Sequence, residues 1–240
     1  LTKDFYAGVF EVTQRQWELI TGAQPSYFTN ATYYASRPVE KVSYEDIRGA
    51  SNSVPSINWP VTDRSVVTTN SFLGMLRTKT GLAEFDLPTE AQWEYLCRAG
   101  TTTYYNDNGA KPGNTASNAQ MNALGRYAYN GGQVWNGSVW KTPAQGCGAT
   151  NGTAVVGSYQ ANAWGLYDTH GNVWEWCLDW SAGSLAGGSD PAGSDSGSNR
   201  VRRGGCWGSP ASYCRSAFRN HDAPSARSNF IGFRLVRTLP

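Results

Sequence analysis

Charge, long apolar runs and basic clusters are all scarce in this sequence. Only 16% of its 240 residues are charged, and the formal net charge is +2. The basic residues are scattered, whereas a nucleic-acid interface usually shows a basic patch or stripe. No apolar run approaches the roughly 18 residues of a membrane-spanning helix. We therefore expect no nucleic-acid partner, and membrane association only through a lipid anchor upstream of Leu1.

Cysteine is also sparse, with five residues at positions 97, 147, 177, 206 and 214. This number is odd and low for the length, which excludes a disulfide-based scaffold. One bridge, for example between Cys97 and Cys214, and five free thiols both remain open. The C-x-x-C spacing is absent, so a zinc site built on thiolates is not expected.

The usual catalytic motifs are missing as well. There is no G-x-S-x-G nucleophile elbow and no phosphate-binding P-loop. The two histidines, His170 and His221, have no neighbouring nucleophile arranged for them in the sequence. We expect both to be surface residues.

Aromatic residues and glycine are plentiful, with 10 Trp and 27 Gly. This composition is typical of a folded, loop-rich protein. The tryptophans raise the question of carbohydrate stacking, but aromatic side chains lie mostly in cores, and the alternation in WEW favours buried strand residues. Among them, Trp207 is the one for which we expect partial exposure.

Helix signals are confined to the first hundred residues. Thr13 with Gln16 forms a capping box and Gly22 supplies a stop, which predicts a helix from about Thr13 to Thr21. Similar signals predict helices that start at Ser43, within 70–81 and at Pro88–Thr89. After Thr101 no helix is predicted, and the strand candidates are VVGSY, VWEWCLDW, RVRRGGCW and IGFRLVRT.

Two polar segments interrupt this order. Residues 51–70 resemble an inserted surface loop, and residues 181–199 have the composition of a flexible surface excursion. Neither separates two cores. We therefore predict one domain of the α+β class over residues 1–240, with helices in its N-terminal part and many loops in its C-terminal part.

The phrase GLYDTHGNVWEWCLDW, residues 165–180, combines two carboxylates with a tight turn. Asp168 and Glu175 are hard oxygen ligands, and the turn between them offers backbone carbonyls, as calcium sites do. The alternative is a turn whose Asp and Asn satisfy local backbone donors. The residues alone leave both readings open.

Six phrases, in order, resemble the formylglycine-generating enzyme (sulfatase-modifying factor) family. They are EVTQRQWELITG, RPVEKVSYEDI, LPTEAQWEYLCRAG, GLYDTHGNVWEWCLDW, RVRRGGCW and IGFRLVRT. The resemblance covers nearly the whole chain. It implies a variant of the C-type lectin fold with little regular secondary structure. It also implies a structural calcium ion held at Asp168, Gly171, Val173 and Glu175.

The catalytic pattern of that family is incomplete here. The enzymes hold copper with two cysteines five positions apart, and soft thiolates suit Cu(I). Those positions fall on Ser209 and Cys214, and Ser209 cannot supply a thiolate. Cys206 lies eight positions before Cys214, so it does not restore the spacing. We therefore expect neither bound copper nor formylglycine formation; an oxidase with an altered site is the alternative.

A closer resemblance is to variable proteins of the treponemal type, which retroelements diversify on this same fold. There, adenine mutagenesis turns Asn codons into a restricted residue set that excludes Lys, Glu, Gln and Met. Between Cys206 and Phe230 none of these four residues occurs. The alternative is an ordinary divergent loop in a non-catalytic family member.

The resemblance divides the segment 206–230 into two groups. The predicted variable, ligand-contacting positions are Cys206, Gly208, Ser209, Pro210, Ser212, Tyr213, Phe218, Asn220, His221, Asp222, Ala226, Ser228, Asn229 and Phe230. The predicted fixed framework is Trp207, Arg215, Arg219, Pro224 and Arg227. Exposed positions tolerate many side chains at little cost in stability. We expect a non-enzymatic protein, exported and displayed at the cell surface, which binds an unidentified protein or other surface molecule; a calcium-dependent carbohydrate binder is a further alternative.

Overall fold

The computed structural model describes residues 1–49, 66–107, 118–185, 187–191, 193–194 and 196–239. The helices are α1 (Gln14–Thr21), α2 (Tyr44–Arg48), α3 (Phe72–Thr80), α4 (Glu90–Arg98) and α5 (Asn118–Leu124). The strands are β1 (Phe5–Ala7), β2 (Phe85–Asp86), β3 (Val134–Trp135), β4 (Trp140–Lys141), β5 (Trp174–Trp180), β6 (Arg200–Arg203), β7 (Arg219–Asp222), β8 (Ile231–Gly232) and β9 (Val236–Thr238). Within these ranges no helix has the length and apolar character needed to cross a bilayer.

The four helices predicted from the front of the chain are confirmed. Thr13, Ser43 and Thr89 each cap a helix in a complete capping box, and Ser71 caps α3. Each such cap stabilises its helix by about 1 kcal/mol. Gly22 ends α1 in the left-handed conformation, at φ 75°. These helices are short and locally encoded, so their ends could be read from the sequence.

The prediction that no helix follows Thr101 is wrong. Helix α5 buries Met121 and Leu124 against Tyr105 and Tyr127. A helix of seven residues with two apolar anchors has too little periodicity to be recognised, and tertiary packing stabilises it instead.

In the part of the chain that the structure describes, nine short strands form two sheets and one hairpin. The larger sheet has the order β7-β6-β5-β8, in which β5 runs antiparallel to β6 and parallel to β8. The smaller sheet has the order β1-β9-β2, and β3 pairs with β4. The mixed α+β class predicted from the sequence is confirmed.

Two of the four strand candidates need correction, and a third is shorter than predicted. VWEWCLDW forms β5. RVRRGGCW forms strand only as far as Arg203, because Gly204 and Gly205 turn the chain at φ 95° and 79°. A Cβ on Gly205 would lie 2.5 Å from Cys214 Sγ, so the close packing requires glycine. IGFRLVRT divides into β8 and β9 of different sheets, and VVGSY is a turn.

The main core lies between the helices and the larger sheet. Trp17 stacks on Phe72 with ring centroids 4.9 Å apart, and Phe233 packs edge-on against both rings. Phe233 lies between β8 and β9, so the crossing of the chain from one sheet to the other is itself buried. This crossing places the end of the segment 206–230 next to the core.

The two predicted surface segments are only partly described. Most of residues 51–70 lie outside the described residues, so the predicted loop there cannot be compared. The described residues of 181–199 are mostly exposed, and Gly193 N–H donates to Asp179 Oδ1 at 2.8 Å. This bond ties the excursion to the end of β5.

Candidate functional site

The segment 206–230 folds in three parts against fixed elements. A turn leads into a short 3-10 helix at Ala211–Cys214, β7 forms the edge of the larger sheet, and a loop returns the chain to β8. Strand β7 pairs with β6 over four residues, from Arg200↔Asp222 to Arg203↔Arg219. The segment is therefore irregular in sequence but anchored at its centre by a sheet.

Trp207 joins the two ends of the segment. It is fully buried, and its indole N–H donates to Asn229 O at 2.7 Å. Its ring stacks on Phe230 at 4.5 Å and meets the edge of Phe28 at 5.2 Å. The expected partial exposure of Trp207 is wrong, because Phe28, far away in sequence, covers the ring.

Arg219 fastens β7 to helix α4. Its guanidinium contacts both carboxylate oxygens of Glu90, at 2.5 and 2.8 Å, and also donates to Ala182 O and Gly183 O. Buried Arg203 reaches the same carboxylate at 3.1 Å. A bidentate pair of this kind fixes orientation as well as distance. The framework role predicted for Arg219 has a clear structural basis.

Arg227 and Pro224 fasten the returning loop to helix α2. The Arg227 guanidinium contacts both oxygens of Asp46 at 2.6 Å, and Pro224 O accepts from Glu45 N–H. Partial burial would raise the pKa of Asp46, but hydrogen bonds from Arg227 and Ser43 outweigh it and hold this pKa below its usual value. The exposed Arg227 side chain makes this clamp weaker than that of Arg219.

Arg215 braces the 3-10 helix. Its Nε–H donates to Ser212 O at 2.7 Å, and its guanidinium lies over the rings of Tyr104 and Phe218. All five predicted framework residues thus contact a neighbouring element or close a turn. Most of their contacts are to backbone oxygens and fixed side chains. The exceptions are two predicted variable positions, Phe230 against Trp207 and Phe218 against Arg215.

The predicted variable positions differ widely in exposure. Pro210, Tyr213 and His221 are exposed, whereas Cys206 and Ser209 are buried. The half-buried positions are Gly208, Ser212, Phe218, Asn220, Asp222, Ala226, Ser228, Asn229 and Phe230. Cys206 and Ser209 thus lie below the surface and are not placed to contact a ligand.

Four exposed positions were not among the predicted contact residues. They are Ala217, Ala223, Ser225 and the framework residue Arg227. At Ala217 the residue type gave no sign of exposure, because a small side chain occurs at packed and at exposed positions alike. Ala223 and Ser225 lie on either side of buried Pro224, so exposed and buried residues alternate here. This alternation is the signal in the sequence that could have identified the two as exposed.

Ser209 and the two nearby thiols form a buried cluster. Cys206 Sγ lies 3.2 Å from Ser209 Oγ, and Cys214 Sγ contacts Pro210 O at 3.7 Å. Burial raises the pKa of the Cys206 thiol and raises that of Cys214 well above its usual value. Both therefore hold their protons at neutral pH. The hydroxyl of Ser209 does not fit the copper site of the related enzymes, which needs a thiolate at this position.

His170 lies inside the protein, so the expectation of a surface histidine is wrong for this residue. Its Nδ1–H donates to Cys214 O at 2.7 Å, and Nε2 accepts from Asn106 N–H at 3.1 Å. Burial lowers its pKa to about 4, so the ring is neutral. Cys97 Sγ lies 3.9 Å from the ring, and all five cysteines are free thiols. His221, in contrast, is exposed.

Of the two carboxylates predicted to bind calcium, Glu175 is fully paired within the protein and Asp168 is paired through one oxygen. Both Glu175 oxygens contact Arg234 at 2.7 Å, and Trp93 Nε1–H donates to the same carboxylate. Asp168 Oδ2 accepts from Gly157 N–H, and Oδ1 is buried with no hydrogen-bond partner among the described residues. Because Arg234 already neutralises Glu175, the set Asp168, Gly171, Val173 and Glu175 does not fit calcium as placed.

Sequence reasoning missed Glu11 in this region. Its oxygens accept from Asn172 Nδ2 at 2.6 Å and from Val173 N–H at 3.1 Å. Burial, and after it the charges of Asp168 and Glu175, raise the pKa of Glu11 well above its usual value. Across the described residues, no group of three or more His, Cys, Asp or Glu side chains is arranged to hold a metal.

The architecture and site together define a class of protein: a C-type lectin-like scaffold that carries an irregular surface segment on clamped backbone. Residues 1–239 match the model of the sulfatase-modifying factor enzyme 1-like domain. The chain belongs to this family.

Individual relatives include enzymes and a variable protein. Over 155 residues the chain is 36% identical to the formylglycine-generating enzyme of Mus musculus, which covers 62% of this chain and 38% of that protein. The chain spans less than half the length of each formylglycine-generating enzyme that it matches.

Two solved structures cover almost all of the chain. Treponema denticola variable protein 1 superposes with a TM-score of 0.67 and 26% identity, covering 98% of this chain and 84% of that one. PvdO from Pseudomonas aeruginosa gives a TM-score of 0.63 and 25% identity, covering 98% and 80%. The predicted family and fold are confirmed.

Proposed function

We propose that this protein is a non-catalytic, surface-displayed binding protein in which the segment 206–230 is diversified by a retroelement to vary its ligand. One observation carries the proposal: exposed positions such as Tyr213 and His221 lie on backbone that Trp207, Arg219 and Arg227 hold in place. Side chains at such positions can change without loss of the fold.

The similarity to Treponema denticola variable protein 1 over 98% of the chain supports this proposal. The exposed set is also chemically suited to recognition. Tyr213 stacks on Phe218 at 4.5 Å and offers apolar area, while His221 and Asp222 offer polar groups. Antibody loops combine the same two kinds of contact. On this proposal the ligand is a protein or another surface molecule of unassigned identity. The protein that binds it is exported and consists of a single recognition domain.

Sequencing the gene from many isolates, with any upstream near-copy, tests the proposal. We expect substitutions at codons that contain adenine in the near-copy, concentrated at Pro210, Tyr213 and His221 and absent from Trp207, Arg219 and Arg227. Substitutions spread evenly along the chain, or frequent at the buried clamps, would refute diversification of this segment.

The match to formylglycine-generating enzymes favours one competing function, an oxidase with an altered metal site. Titration with Cu(I) and a cysteine-containing sulfatase peptide decides between the two. We expect no stoichiometric copper binding and no aldehyde, because Ser209 cannot supply the second thiolate of the copper site. If copper binds, aldehyde forms, and both Cys206→Ser and Cys214→Ser abolish the two, the non-catalytic proposal fails.

A further inference from the structure

The β3–β4 hairpin projects from the protein with every residue from Val134 to Lys141 exposed. Trp135 is 52% exposed and Trp140 40%, so the expectation that tryptophans lie mostly in the core is wrong for this pair. Tyr129, 51% exposed, packs its ring against Trp140 at 5.2 Å. We call Tyr129 together with Val134–Lys141 the aromatic arm. So large an exposed aromatic surface marks an interaction site more often than an ordinary surface.

The aromatic arm has a defined shape. Trp135 and Trp140 are cross-strand partners with ring centroids 5.4 Å apart, a pairing that stabilises hairpins. At the tip, Asn136 Oδ1 accepts from the N–H groups of Ser138 and Val139, and Gly137 takes the left-handed conformation. The rings are therefore presented in a fixed arrangement on solvent-exposed backbone.

The base of the aromatic arm rests on the variable segment. Ala128 N–H donates to Ser209 O at 3.0 Å, and a Cβ on Gly132 would lie 1.7 Å from Trp207 O. Tyr127, which precedes the arm, packs in one cluster with Ala211 and Cys214 beneath the 3-10 helix. The arm thus leaves the protein at the edge of the surface that carries Pro210 and Tyr213.

The chemistry of the arm indicates the kind of partner. Residues 128–141, AYNGGQVWNGSVWK, contain a single charged side chain, Lys141, and are rich in Tyr, Trp, Asn, Ser and Gly, the composition of antibody binding loops. Trp and Tyr also dominate the energetics of protein interfaces. The rings are tilted by 54° and 80° to one another, so they offer an irregular surface and not a flat platform for a sugar chain.

We propose that the aromatic arm is a constant half of the binding site for a folded protein partner, supplying affinity while the variable segment supplies specificity. The proposal rests on the proposed function above, because it assigns the arm to the same binding surface. It differs from that function in placing most of the apolar contact area outside 206–230.

A display library tests it. The full chain is randomised at Pro210, Ser212, Tyr213, Asn220, His221 and Asp222 and selected for binding to lysozyme as a test protein. Three versions are selected in parallel: the native arm, an arm with Trp135→Ala and Trp140→Ala, and a control with Trp164→Ala. Trp164 is 45% exposed and packs on Tyr95 of α4, so it matches the arm tryptophans in exposure.

We expect binders from the native and Trp164→Ala libraries, and few from the library without the arm. Transferring the two arm substitutions into selected clones should weaken Kd about tenfold or more, whereas Trp164→Ala should change it less than about twofold. Melting temperatures of the three scaffolds should agree, because the substituted side chains are exposed.

The other outcomes separate the two proposals. If all three libraries yield equal numbers of binders, the proposed role of the arm is overturned and the proposed function is left intact. A failure of all three contradicts the proposed function and the arm with it. Some clones could bind lysozyme equally well after their variable residues are scrambled. The arm would then bind without any specificity from 206–230, and the proposed division between affinity and specificity would be overturned. Arm-dependent binding of the neutral oligosaccharide chitohexaose, without binding to lysozyme, overturns the assignment to protein.

Discussion

At the scale of single residues, a substitution of Trp207 gives the sharpest test of the division between framework and variable positions. We expect Trp207→Ala to lower the free energy of unfolding by about 3–5 kcal/mol, since it removes a buried ring that contacts Phe28 and Phe230. Chemical denaturation measures this loss.

His221→Ala is the matched control in the same segment. Its side chain is exposed, so we expect a change within about 0.5 kcal/mol. If the two substitutions cost the same, the division of 206–230 into fixed and replaceable positions is wrong.

Glu40 provides a pH-dependent prediction at the residue scale. Burial raises its pKa from 4.5 to about 8, although the N–H groups of Tyr27 and Phe28 donate to Oε1 and lower it in part. The folded protein therefore keeps a proton that the unfolded chain releases between pH 4.5 and 8. Because the folded state binds more protons in this window, the stability from Glu40 is present below pH 4.5 and is lost as the pH rises to 8.

Glu40→Gln should remove this contribution. Urea denaturation at pH 5, 7 and 9 should show the wild-type protein losing stability relative to the variant as the pH rises. The glutamine can still accept both N–H groups, so the comparison isolates the titration. Parallel pH curves for the two proteins would contradict a raised pKa at Glu40.

At the scale of elements, the edge strand β7 depends on its clamp to α4. We expect Arg219→Ala to cost about 2–4 kcal/mol, because it leaves buried Glu90 with Arg203 alone. Arg227→Ala breaks a more exposed pair and should cost about 1 kcal/mol or less.

Hydrogen exchange adds a local measurement to this comparison. Amides of β7 that pair with β6 should exchange faster in Arg219→Ala than in Arg227→Ala, since only the former releases the strand from α4. Equal protection of β7 in both variants would show that sheet pairing alone holds the segment.

At the scale of the whole molecule, we expect the stability of the fold not to depend on calcium. Arg234 neutralises Glu175 from within the chain, and it also donates to the carbonyls of Gly8 and Tyr167. We therefore expect melting temperatures in excess chelator and in millimolar calcium to agree within about 1 °C. A clear rise with calcium would restore the ion that the family resemblance implies.

The sequence by itself determined the local elements and the family. Capping residues at Thr13, Ser43, Ser71 and Thr89 act within four residues of chain, so the front helices could be read directly. The phrase VWEWCLDW likewise predicted the buried strand β5. Six ordered phrases then indicated the fold, which the family match confirms.

Only the tertiary structure decided which residues face solvent. Phe28 buries Trp207, Cys214 O and Asn106 N–H hold His170 inside, and the arm leaves Trp135 and Trp140 exposed. The same long-range packing placed Cys206 and Ser209 below the surface and Tyr213 and His221 above it. Exposure depends on partners far away along the chain, so residue type and local spacing could not reveal it.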